Sequence, residues 1–321
     1  MFSRLKSMSA NYIMVFIVAI VAVLLLFCGL NMQGAVQKDL GKGYVATDSR
    51  GNKLVFQKKP QRIASFAVST DEMLLELVGT ERLIAVSPWS DSPAVSCIAD
   101  KIKNIPYRCK SQNLEAVLAL QADLVVMPDY VNEEVVRTLQ EAGVKVYICR
   151  TPSKIADIQS ALLNLGKAVG EEERAKQVVA TMNTRLQVIK NKVAQKTEAK
   201  RLRVLRIQEN GSYYAPDSSF REICQLAGVK DATEDLHYER ACTLSQEEII
   251  ALNPDVFIIE DWNYDGKHSP EELKKSILKN GAYATTNAGR NKKAILMPAN
   301  HLLTVSQYMV DAVEDMAKAL P

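Results

Sequence analysis

The sequence predicts an α/β protein of two Rossmann-like lobes with mainly parallel sheets, joined by one long backbone α-helix, with a ligand cleft between the lobes. Three observations point there. Residues 171–196 contain neither Gly nor Pro, and Ala175, Val178, Val179, Met182, Leu186, Ile189 and Val193 step by three and four. That stripe belongs to a single amphipathic helix of about 26 residues, roughly 39 Å long at 1.5 Å per residue. The chain also echoes itself on either side of this helix. EAVLALQADLVVM (115–127) aligns with EEIIALNPDVFII (247–259) at a constant offset, so that Glu115 meets Glu247, Leu120 meets Leu252 and Asp123 meets Asp255. A weaker echo precedes each: DEMLLELVGTERLIAV (71–86) against SSFREICQLAGVKDAT (218–233), a helix closed by Gly79 or Gly228. Two echoes in the same order make two related α/β units, and the heptads are too few for a coiled-coil arm.

Composition agrees. The chain has 321 residues, 47% hydrophobic and 24% charged, which leaves room for two lobes of about 120 residues each. A net charge of +3 with no Lys/Arg-rich tract argues against a nucleic-acid binder.

The N-terminus carries Arg4 and Lys6 and then an uncharged run from Tyr12 to Leu30. Nineteen apolar residues are long enough to cross a bilayer, and the basic residues before them keep the N-terminus cytoplasmic. Cys28, in Leu25-Leu26-Phe27-Cys28-Gly29, resembles a lipoprotein cleavage box, although Phe27 stands where a small residue is expected. A lipid anchor and an uncleaved helix both fit. Either one tethers the chain to the outer face of the cytoplasmic membrane. Residues 1–35 are thus the anchor or signal segment and 36–45 a tether.

The first lobe is expected over 46–169. A turn at Ser49-Arg50-Gly51-Asn52 between alternating apolar runs reads as a hairpin. Arg62 to Phe66 is the first buried strand, and its end opens helix 71–78 with Thr70 or Asp71 as N-cap. The strand Leu83–Val86 leads into a Pro-flanked loop holding Trp89, and 94–112 reads as irregular. The echoed helix and strand follow, ending at Pro128-Asp129-Tyr130. Helix 132–142, strand 144–149 and helix 153–169 complete the lobe. Beyond the linking helix (170–198), the second lobe (199–321) repeats the alternation. Its strands are 201–207, 256–259 and 294–297, and its last helix is 306–319. Short connections between alternating strands and helices are the mark of parallel sheets.

The chain from about 46 to 320 resembles the class III, helical-backbone substrate-binding proteins of bacterial ABC importers, the group that handles iron–siderophore complexes, cobalamin and haem. The resemblance is carried by Thr47-Asp48 with Gly51, Pro60 through Arg62-Ile63, and Asp71-Glu72-Met73-Leu74 to Gly79. Asn113-Leu114-Glu115 with Ala122-Asp123-Leu124-Val125, Leu244-Ser245-Gln246-Glu247 and Asn253-Pro254-Asp255 complete it. It implies two nearly rigid lobes that close modestly on the ligand. It also implies one surface glutamate per lobe, Glu115 and Glu247, docking onto arginines of the permease. Two carboxylates on a rigid frame make a two-point contact with arginine forks.

The pocket is expected between the lobes, lined by strand-end loops. Trp89, Arg108 and Tyr130 are the first-lobe candidates; Tyr213, Tyr214, Tyr238, Arg240, Trp262 and His301 are those of the second. Aromatic rings give flat walls for a macrocycle or chelate, and arginines complement carboxylate or catecholate oxygens. Arg108 and Tyr130 fall where the siderophore-binding members resemble this chain most. The three histidines, His237, His268 and His301, lack ligand spacing, so no protein-held metal and no intrinsic cofactor are expected. No phosphate loop, G-x-S-x-G or hydrolase triad is present, which argues against an enzyme.

Outside the membrane thiols tend to pair. Cys97 and Cys109 bound one loop, and a bridge there would close about 13 residues for roughly 3 kcal/mol. Cys149 reads as a buried hydrophobe, while Cys224 and Cys242 are open. The chain is expected to act as a monomer that captures a ferric siderophore, cobalamin or haem and delivers it to a membrane permease. The competing function is a sensory domain on the same clamshell. A sensor usually carries a signalling domain across the span, and about 11 residues precede this one.

Overall fold

The structure, a computed structural model, describes residues 43–110, 113–194, 201–208, 211–216, 218–262 and 269–320. The apolar segment with Cys28, and His268, lie outside them. Among the described residues no helix is long and apolar enough to cross a membrane. Tyr44 and Val55–Lys58 belong to a small unit in which the Tyr44 and Phe56 rings stack at 5.1 Å. Apart from the outer residues of the first hairpin, all else below concerns the large unit, 45–54 and 59–320.

Strands β1 (Tyr44–Thr47) and β2 (Lys53–Phe56) are the arms of the expected hairpin. Its turn is closed by the Asp48 carboxylate, which accepts from the amides of Arg50 and Asn52 at 2.9 and 2.8 Å.

The first lobe runs β3 (Ile63–Ser65), α1 (Val68–Arg82), β4 (Leu83–Val86), a 3-10 turn (Pro88–Asp91), β5 (Tyr107–Arg108) and α2 (Leu114–Ala119). Then come β6 (Leu124–Pro128), α3 (Glu133–Glu141), β7 (Val146–Cys149) and α4 (Ile155–Val169). The five strands form one parallel sheet in the order β5-β4-β3-β6-β7. Every residue of β4, β6 and β7 is buried, as expected of continuous apolar runs covered on both faces. The start of a helix and one loop differ from expectation. Helix α1 starts at Val68; Gly79, at φ 67°, closes its first stretch as expected, and a short second stretch continues to Arg82. The 94–112 loop contributes β5, an edge strand of two residues, too short to show a strand period in the sequence.

Helix α4 ends at Gly170 in the left-handed region, and α5 (Glu172–Val193) turns back against it. The helices approach so closely that a Cβ on Gly166 would stand 2.5 Å from the Ala175 Cβ. Ala175, Val178, Met182 and Ile189 of the predicted stripe form the buried face of α5. Ion pairs fasten it at both ends. Arg82 reaches Glu171 at 2.6 Å and Arg174 pairs with Glu76 in the first lobe, while Arg185 holds Asp311 and Glu314 in the second.

The second lobe comprises β8 (Arg203–Arg206), β9 (Ser212–Tyr214), α6 (Ser219–Leu226), β10 (Lys230–Asp231), β11 (Cys242–Leu244), α7 (Gln246–Leu252) and β12 (Val256–Glu260). It continues with α8 (Pro270–Lys279), a 3-10 turn (Tyr283–Thr285), α9 (Asn287–Arg290), β13 (Ala294–Met297), α10 (Ala299–Leu303) and α11 (Met309–Ala319). Its main sheet is parallel, in the order β10-β8-β12-β13, and β9 and β11 form an antiparallel ribbon. Leu205, Ile207, Phe257 and Ile259 centre its core, as Ala64, Val125, Met127 and Ile148 centre that of the first lobe.

Candidate functional site

In both sheets the chain starts near the middle, builds one side and then crosses to build the other. The reversal falls between β3 and β6 in the first lobe and between β8 and β12 in the second. Ligands of open α/β sheets sit outside the strand C-termini at such reversals.

At the first reversal β6 ends in Pro128-Asp129-Tyr130, and Tyr130 is 73% exposed. Beside it the turn after β4 presents Trp89, 62% exposed. A large ring left this open is unusual for a core former and suits a flat contact. The turn is held from beneath. Asp71 Oδ2 accepts from the Ser87 amide at 2.8 Å and the Ser90 hydroxyl at 2.6 Å, and Ser87 Oγ accepts from the Trp89 amide at 3.3 Å. Asp71 is therefore a strut of the Trp89 turn rather than the helix cap. It is fully buried, and that burial, reinforced by neighbouring Glu72, pushes its pKa up to about 7.

Arg108 is placed differently from expectation. Its Nε donates to Asp91 at 2.8 Å, Nη1 to the Ile105 carbonyl at 2.7 Å and Nη2 to the Ile102 carbonyl at 3.0 Å. The guanidinium clamps the 94–109 loop, and these bonds occupy the fork that a ligand would need.

At the second reversal β8 ends in Arg206 and β12 in Glu260. Glu260 is 2% exposed and receives Arg206, with Gln208 Nε2 at 3.4 Å from its other oxygen. Trp262 follows, half-buried. Tyr213 and Tyr214 are adjacent on β9 and so point to opposite faces. Tyr213 is 64% exposed and edges a cavity of about 210 Å³ shared with Arg206, Ser212, Asp231 and Thr233. Tyr214 is 2% exposed, donates to the Leu236 carbonyl at 2.9 Å and meets the Tyr238 ring edge-on at 5.3 Å. Tyr214 is thus a core residue and not a pocket wall. Tyr238 and Arg240 are exposed, with the Tyr238 hydroxyl donating to Glu248, which raises its pKa. His301 is a further correction: it lies in α10 with Nδ1 2.7 Å from Asp315 of α11, joining two helices of one lobe.

The loop bridge is not made. Cys97 and Cys109 are free thiols: Cys97 Sγ faces the Asn300 carbonyl at 3.6 Å, and Cys109 is buried in the sheet core. Cys149 and Cys224 are buried as well, and Cys242 is half-exposed. Glu115 and Glu247 are exposed in the first turns of α2 and α7. Among the described residues no group of three His, Cys, Asp or Glu could hold a metal ion.

Four charged residues near the reversals lie outside the expected site: Asp71, Glu72, Arg206 and Glu260. The signal is present in VLR and FIIE, where an apolar strand ends in a charge, and in two consecutive acids just ahead of the apolar run Met73-Leu74-Leu75.

This architecture, two parallel α/β lobes on one helix with strand-end crevices, defines a two-lobed binding protein. The model of the family described as periplasmic binding protein matches residues 63–301, and the chain belongs to that family. It is 24% identical to a cobalamin-binding protein of Halobacterium salinarum over 85% of this chain and 72% of the relative. It is 25% identical to a probable siderophore-binding lipoprotein of Bacillus subtilis over 73% of this chain and 67% of the relative. Among solved structures it resembles the apo periplasmic haem-binding protein of Roseiflexus sp. RS-1, with TM-score 0.68, 21% identity, and 81% of this chain and 97% of that one covered. These are binding proteins rather than enzymes.

Proposed function

We propose that this chain is the extracytoplasmic substrate-binding component of an ABC importer, which takes a metal chelate between its lobes and hands it to a permease. The observation that carries the reading is the set of exposed rings beside the strand reversals, Trp89 and Tyr130 in one lobe and Tyr213 in the other. Flat ring walls favour a large planar or macrocyclic ligand over a small ion. Ferric siderophore leads, and cobalamin and haem follow; relatives named for cobalamin and siderophore binding support the class. Trp89, Tyr130, Tyr213, Tyr238, Arg240 and Trp262 are the contacts we assign. Glu115 and Glu247 are the docking points for permease arginines. The N-terminal segment, as an apolar helix or through lipid on Cys28, tethers a monomer to the outer face of the cytoplasmic membrane.

Thermal unfolding against ferric siderophores, cobalamin, haem and molybdate tests this. A ligand at a hundredfold excess over its Kd adds about 2.7 kcal/mol, a shift of a few degrees in Tm. A shift with one chelate names the cargo. A shift with molybdate alone, or with none, removes the chelate reading.

A further inference from the structure

Glu72 follows Asp71 near the start of α1 and is buried. Its carboxylate divides its bonds between the two halves of the chain. Oε1 accepts from the Cys97 amide at 2.8 Å and the Ser96 hydroxyl at 3.4 Å, both in the first lobe. Oε2 accepts from the hydroxyls of Thr304 and Ser306, each at 2.5 Å, in the turn that follows α10 of the second lobe. Gln307 Nε2 donates to the Glu72 carbonyl at 2.8 Å. The second-lobe donors are themselves tied together. Thr304 Oγ1 lies 2.9 Å from Ser306 Oγ and accepts from the Ser306 amide at 3.2 Å, and Ser306 Oγ accepts from the Tyr308 amide at 3.3 Å. Alongside, Lys101 Nζ donates to the Tyr308 hydroxyl at 3.1 Å.

Among the described residues no cation pairs with Glu72, and a carboxylate buried without a counter-ion is costly to keep. An apolar side chain would fill the same space more cheaply, but it would not fix a register. Four directed bonds to one carboxylate, two from each lobe, do fix it. The position matters as well. Asp71 carries the Trp89 turn on the cleft side, so cleft wall and inter-lobe bonds hang on the same turn of α1.

We infer that Glu72, Thr304 and Ser306 form a latch that holds the two lobes in register at the base of the cleft, which makes Glu72 a positioning residue for ligand capture. Its bearing on capture rests on the function proposed above, whereas the latch is tested without a ligand. Hydrogen exchange of the full chain in detergent is the measurement. Thr304→Val with Ser306→Ala removes donors from the second lobe only. It should raise exchange several-fold across the lobes, at amides 95–101 and 70–74, and leave β6 at its parent rate. Glu72→Gln should loosen both 95–101 and 303–308, because an amide cannot accept from four donors. Thr304→Ser, which keeps the hydroxyl, should restore parent protection. Loosening confined to 303–308 in the double variant would overturn the latch, and so would a uniform rise that includes β6. A silent ligand panel with this cross-lobe response intact removes the capture reading alone.

Discussion

Asp123 and Asp255 do the same work in the two lobes. Asp123 Oδ2 accepts from the amides of Gln61 and Arg62 at 2.8 and 3.0 Å, and its own amide donates to the Arg62 carbonyl at 2.7 Å. Asp255 Oδ2 accepts from the Arg203 amide at 2.9 Å, and its amide donates to the Arg203 carbonyl at 2.8 Å. Each aspartate thereby sets the start of a strand pair, β3–β6 or β8–β12. The preceding helices match too, since α2 and α7 are followed by Gln121 and Asn253, both non-glycine residues with positive φ. Asp255 also accepts from Asn287 Nδ2 at 2.9 Å and is the less exposed of the two. Asp255→Ala should therefore cost about 1–3 kcal/mol in urea unfolding, and Asp123→Ala less. Negligible losses for both would show that these bonds do not set the strand pairs.

The two neighbouring tyrosines of β9 separate structure from function. Tyr214→Phe should cost roughly 1 kcal/mol through the lost bond to Leu236. Tyr213→Ala should stay within about 0.5 kcal/mol, as surface changes do, yet weaken binding of whichever chelate shifts the Tm. A stability loss for Tyr213→Ala with unchanged binding would remove it from the pocket.

Arg108→Lys keeps the charge but not the fork. It should destabilise the protein by about 1–3 kcal/mol, because carbonyls 102 and 105 and the Asp91 carboxylate lose their planar partner. If binding falls while Tm holds, Arg108 belongs to the ligand site and the clamp is secondary.

Asp71 supplies a pH signature. Its folded pKa, about 7, lies above its ordinary 3.8, so between these values the folded state holds a proton that the unfolded chain has released. Stability from this group is then greatest below pH 4 and declines as pH rises to about 7, by a few kcal/mol at about 1.4 kcal/mol per unit. Glu72, raised above 4.5 by the same burial, acts in the same direction. Asp71→Asn should flatten the decline. Parallel stability–pH curves for parent and variant would contradict it.

Glu115→Lys and Glu247→Lys sit on exposed first turns, so each should leave ligand affinity intact and cost at most about 1 kcal/mol of helix-terminal electrostatics. Uptake by cells carrying the importer should fall with either reversal and fall further with both. Unimpaired uptake by the double variant would end the docking assignment.

The local chemistry of the chain determined a good deal on its own. The three-and-four stripe of α5, the apolar runs of β4, β6 and β12, and the echo around Asp123 and Asp255 were all legible, because helix and strand periodicity is written in neighbouring residues. Helix ends are less legible: α1 opens at Val68, ahead of the expected cap, with Thr70 bonding back to the Ala67 carbonyl and Asp71 turned inward. Partner choice was not legible at all. Whether Arg108 met a ligand or its own loop, and which of Tyr213 and Tyr214 faced outward, depended on strand register and loop path. His301 finding Asp315 depended on how α10 packs on α11. Glu72 makes the point most fully. It bonds Thr304, 232 residues away, and only the tertiary structure brings a buried acid and its hydroxyl donors together across two lobes.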